Sequence, residues 1–123
     1  MIRAALALAM TCGPALGDRF ALTCDFAEVC GANLICGNGS LRLVYEVDRD
    51  SHEVFLIDGE ARVGVSAAQG DAALSFHSHL PTGGFQSTTF TAGGAAVHSR
   101  HIVIDGKLAP SQHYGTCMER RMD

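Results

Sequence analysis

Tryptophan is absent from the 123 residues, and two tyrosines and six phenylalanines supply all the aromatic rings. So little ring surface argues against a carbohydrate-stacking platform or a large aromatic pocket. Basic side chains are scarce as well: nine Lys and Arg stand against thirteen Asp and Glu, for a formal net charge of −4. Without a basic stripe the phosphate contacts that dominate nucleic-acid affinity cannot be assembled, and an anionic lipid surface is an equally poor partner. The motifs G-x-S-x-G and H-E-x-x-H are missing, which removes the commonest local signatures of serine hydrolases and zinc peptidases.

Long hydrophobic runs are lacking too. The apolar stretch from Ala4 to Leu16 is interrupted by Gly13 and Pro14, well short of the roughly 20 residues that a spanning helix needs. With Arg3 ahead of it and Ala15-Leu16-Gly17 at its end, this stretch has the pattern of a secretory signal cut after Gly17. The expected organisation is therefore a cleaved leader over 1–17 and one domain over 18–123, secreted or periplasmic, with no membrane insertion after cleavage. Acylation at Cys12 is the alternative, but Thr11 precedes it where lipoprotein sites carry a smaller residue.

Cysteine parity fits that cut. Five cysteines are an awkward number for an exported chain, but Cys12 leaves with the leader, and Cys24, Cys30, Cys36 and Cys117 remain. An even set in an oxidising compartment reads as two disulfides. The favoured pairing is Cys24 with Cys117, tying the start of the domain to its end, and Cys30 with Cys36, clipping a Gly-rich loop. Cys24 with Cys36 and Cys30 with Cys117 is the rival. A zinc site made of all four fits less well, since structural zinc knuckles use shorter spacings.

The rest of the chain reads as strands. In "SLRLVYEVD", Ser40 to Asp48, Leu41, Leu43, Tyr45 and Val47 alternate with Arg42, Val44, Glu46 and Asp48. Asp58-Gly59 and Asp105-Gly106 lie between apolar runs and signal hairpins. Further turns are expected at Gln69-Gly70-Asp71, around Pro81, Gly83 and Gly84, and at Gly93-Gly94. Arg19 to Asp25 reads as a short strand and Phe26 to Gly39 as a stapled loop, with a short helix between Ala27 and Leu34 as the alternative. Pro110 marks an edge or a bulge. Turns recurring about every ten residues, with no helical period past the leader, specify an all-β fold: an antiparallel meander of about eight strands closing as a barrel or sandwich.

Histidines supply the candidate chemistry. In "AALSFHSHL" the apolar Leu74 and Phe76 share one face, so Ser75, His77 and His79 share the other. Two imidazoles at i and i+2 lie about 7 Å apart along a strand, within reach of one copper or zinc ion. His98 or His101 would have to complete the set, and because they have opposite parity only one can share that face. Ordinary decoration of a polar sheet face explains the same pattern. His52 in a turn and His113 beside Tyr114 read as surface residues. Ser99 cannot pair with His98, since neighbours in a strand point to opposite faces. The strand "FQSTTFTA" reads equally as a surface able to accept a partner strand and as an ordinary wet strand, and Asn38-Gly39-Ser40 matches a glycosylation sequon that a simple turn also explains.

These readings converge on a non-enzymatic binding or accessory module without a cofactor, meeting a protein or small ligand through a sheet face or a barrel mouth. A periplasmic copper- or zinc-binding protein using His77 and His79 with His98 or His101 is the alternative.

Overall fold

The computed structural model describes residues 18–122, so the expected leader, with Cys12, lies outside the described residues. Eight strands follow one another: β1 (Arg19–Gly31), β2 (Cys36–Asp48), β3 (Glu53–Asp58), β4 (Ala61–Gln69), β5 (Ala73–His79), β6 (Phe85–Thr91), β7 (Ala95–Ile104) and β8 (Lys107–Arg121). Each pairs antiparallel with the next, and β8 returns to β1, so the sheet closes as a barrel in chain order. Closure removes the unpaired edges that would otherwise template aggregation. Pro110 is accommodated because it lies where β8 runs past the end of β1 and pairs with β7 alone.

Both expected disulfides are formed, Cys24 with Cys117 and Cys30 with Cys36. The first joins register partners on β1 and β8, at the seam where the barrel closes. The second corrects the sequence reading of its neighbourhood. Phe26 to Gly39 is no stapled loop and contains no helix: β1 continues to Gly31, β2 begins at Cys36, and Cys30 and Cys36 are themselves cross-strand partners. Glycines there suggested irregular backbone, but inter-strand pairing together with the bridge holds them extended. The tight reversal uses Leu34 at φ 62° and a Leu34 N–H to Gly31 carbonyl bond of 3.0 Å.

A bulge between Phe26 and Glu28 shifts the register of β1 against both neighbours. Beside it β8 passes so close that a Cβ on Gly115 would overlap the Asp25 carbonyl oxygen and the Phe26 Cα. The hairpin signals were sound, with one small shift. Asp58 pairs with Ala61, so the first loop is Gly59-Glu60, with Gly59 at φ 63° as the first central residue of a type II′ turn requires. Asp105 and Gly106 both take positive φ, 52° and 77°, the type I′ pattern.

Alternation decides what faces the lumen. Phe20, Leu22, Cys24 and Phe26 of β1 are buried, as are Tyr45 and Val47 of β2, Phe76 of β5 and Phe90 of β6. Leu22 and Phe76, each 1% exposed, contribute about 1.5–3 kcal/mol apiece through burial. The outer wall is mixed: Arg42 bridges to Asp25 across β1 and β2 at 2.6 Å and Arg62 to Glu46 at 3.0 Å, while Val103, Leu108 and Met118 are exposed there. An eight-stranded barrel has an interior that side chains can just fill or that can hold one small ligand, and here the two ends of the lumen differ.

Candidate functional site

One end is an open mouth. It is framed by the turns after β2, β4 and β6 and by the start of β1 and the end of β8, and it encloses a cavity of about 750 Å³. Phe20, Val47, Val54, Leu74, Phe76 and Phe90 form apolar walls and floor, while Asp48, Arg49, His52, Asp71 and Glu119 stand at the rim. Arg49 braces the rim: its guanidinium lies 4.3 Å from the centre of the Phe20 ring and 3.7 Å from Glu119 Oε1. Asp48 Oδ1 accepts bonds from the Asp50 and Ser51 amides at 2.9 and 3.2 Å, fixing the turn that carries His52 at φ 63°. Asp50 and Asp18 share a hydrogen bond there, which raises the Asp50 pKa above the usual carboxylate value.

Below the mouth lies an aromatic floor. Tyr45 and Phe76 pack at a tilt with a centroid distance of 4.7 Å, and Phe76 meets Phe90 at 5.7 Å. Under that floor the lumen turns polar. Tyr45 Oη and Thr88 Oγ1 are 2.7 Å apart, and Thr88 Oγ1 and His98 Nδ1 are 2.7 Å apart, all in buried surroundings. His98 packs against Phe26 at 5.8 Å and faces His113 at 5.9 Å. Gln86 donates to Ser78 Oγ at 3.4 Å, and Ser111 Oγ meets His113 Nε2 at 3.2 Å. Burial is the main force holding the His98 pKa down to about 4, with the Arg100 charge and His113 adding to it. Burial and Arg100 also lower His113.

The four sequence-nominated histidines therefore part company. His77, His79 and His101 face outward; His98, with 0% exposure, faces the lumen and cannot join them. On the outer wall Phe85 is the cross-strand partner of both His79 and His101 and stands between them. Its ring lies 5.8 Å from His77 and 5.6 Å from His79. Among the described residues, three potential ligand atoms come within 4.8 Å of one another at Glu28, Cys30 and Cys36. Two of those sulfurs are joined in the disulfide, which leaves one carboxylate.

Two further readings are corrected. His113 is no surface residue but a half-buried member of the luminal cluster. The strand "FQSTTFTA" is not a wet surface throughout: Gln86, Thr88 and Phe90 of β6 are buried, and pairing with β5 and β7 leaves it no free edge. The parity of Cys117 held the missed signal for His113, because a cysteine bonded to buried Cys24 points inward and so does the residue four before it.

Thr88 and His98 have the spacing of a nucleophile and its base, but the buried Thr88 hydroxyl is already engaged on both sides, by Tyr45 and by His98. The arrangement is able to hold a ligand at the open mouth. No family model, no curated protein and no solved structure matches this chain.

Proposed function

We propose that this protein is an exported, non-catalytic binding barrel that takes up the apolar part of a small ligand or of a partner's side chains through its open mouth. The observation that carries the reading is the cavity of about 750 Å³ floored by Phe76 and Phe90. Its volume falls in the range of small-molecule sites, and apolar walls with a few polar groups at the rim are what such sites share. Two disulfides fit an oxidising compartment, which supports export. The Thr88 hydroxyl, buried and engaged by both Tyr45 and His98, supports a role without catalysis.

The test is titration of the mature, oxidised protein with an uncharged fluorescent naphthylamine. Saturable binding to one site is expected, with at least about tenfold loss of affinity in Leu74→Trp, whose indole would fill part of the cavity. Absence of saturable binding, or equal affinity in a folded Leu74→Trp variant, defeats the proposal.

A further inference from the structure

The polar end of the lumen holds two buried donors without partners. His98 Nε2 and Arg100 Nε each lack a hydrogen-bond partner although both atoms are out of contact with solvent. Buried polar atoms in folded proteins are nearly always paired, so such orphans call for an occupant.

Proton accounting identifies what these atoms offer. Thr88 Oγ1 has one hydrogen to give and two neighbours, Tyr45 Oη and His98 Nδ1. If Thr88 donated to Tyr45, the tyrosine hydrogen would be left without an acceptor. The arrangement that satisfies all three groups has Tyr45 donating to Thr88 and Thr88 donating to Nδ1. His98 then carries its proton on Nε2. That nitrogen is a donor, as Arg100 Nε always is.

Both donors come from β7, two residues apart and on the same face, about 7 Å along the chain. From neighbouring positions on one face, the two side chains are each placed to give a bond of about 2.8 Å to one of the two oxygens of a single carboxylate. The side chains facing this space are Tyr45 of β2, Ser78 of β5, Gln86 of β6, and Ser111 and His113 of β8, none of them acidic. Ion pairs among the described residues tie Arg42, Arg49 and Arg62 to carboxylates; of the described cations outside these pairs, Arg19, Lys107, Arg120 and Arg121 are exposed and Arg100 is half-buried. In a chain with a net charge of −4, a half-buried guanidinium beside neutral donors, with no carboxylate against it among the described residues, stands out.

We propose that the polar end of the lumen is a binding site for a single small carboxylate, received by His98 Nε2–H and the Arg100 guanidinium. His113, kept neutral by burial and by Arg100, adds a polar wall without taking a charge of its own. The site is separate from the mouth, beyond the Tyr45 and Phe76 floor.

The test uses the mature, oxidised protein labelled with ¹⁵N and follows the histidine ring nitrogens while sodium formate replaces sodium chloride at constant ionic strength. The His98 and His113 resonances are expected to move saturably, while those of His77, His79 and His101 stay in place. Arg100→Gln should weaken the formate response at least about tenfold. If that variant does not fold, Arg100→Lys, which keeps the charge but loses the Nε donor, is read instead and should also bind more weakly. A response that fails to saturate, that chloride reproduces, or that survives unchanged in the folded variant overturns the proposal and leaves a lumen occupied by water. Because the naphthylamine reads the mouth, either site can fail without the other.

Discussion

His98 Nδ1 lies 2.7 Å from Thr88 Oγ1, and neither side chain has any exposed surface. Thr88 thereby links Tyr45 to His98 in the middle of the barrel, and one hydroxyl keeps two other polar groups satisfied. Thr88→Val should strip a partner from both at once, at about 1–3 kcal/mol for each group left unpaired. Tyr45→Phe removes a donor together with its own demand and should cost only about 0.5–1.5 kcal/mol. Urea unfolding of the two variants under oxidising conditions checks the order.

Protonation of the same histidine gives the barrel a pH dependence. Its pKa in the folded state, about 4, lies below the ordinary value of 6.5. The unfolded chain therefore takes up the proton first as the pH falls. The stabilisation is complete above about pH 6.5, drains away between there and pH 4, and is gone below, with a full span on the order of 3 kcal/mol. His113 is shifted in the same direction and adds to the loss. NMR titration of the His98 ring should show a midpoint near 4, and the urea midpoint should fall between pH 7 and pH 4.5. A His98 midpoint near 6.5 contradicts the buried placement.

The two bridges should contribute unequally. Cys24 and Cys117 are 93 residues apart in the chain, Cys30 and Cys36 only 6. By loop-closure entropy, removing the first pair costs about 4–5 kcal/mol and removing the second about 2 kcal/mol. Paired Cys→Ala variants compared by thermal unfolding test this ranking, and mass measurement with reductant should show a gain of four hydrogens.

Gly115 is required by its contact with β1 rather than by its backbone angle. Gly115→Ala pushes a methyl group into the Asp25 carbonyl at the bulge and should cost about 2–4 kcal/mol. Gly93→Ala, in a turn where the nearest atom to a new Cβ is 3.9 Å away, should cost far less. Equal losses would mean that the seam beside the bulge can open.

Period-2 patterning made the barrel largely legible before the structure. Leu41 to Val47 and Leu74 to Phe76 each name their inner face without ambiguity, and four cysteines demanded two bridges. The luminal cluster was hidden where that pattern fails. Phe85 and Phe90 are five residues apart and so occupy opposite faces of β6, which leaves no apolar side to follow. On β7, Val97 and Val103 lie outward while Ala96 and Ile102 lie inward, so both faces look apolar and His98 could be assigned to neither. The bulge at Ala27 was invisible for a different reason: it shows only in the register of β1 against its neighbours, and one of these, β8, is remote in sequence.

An amide chemical-shift map of the oxidised protein during naphthylamine titration tests the central claim most directly, that ligand enters the open end of the barrel. Perturbations should gather at Phe20, Val54, Leu74 and Phe90 and spare the outer residues His77, Phe85 and His101. Shifts confined to that outer wall would contradict the account.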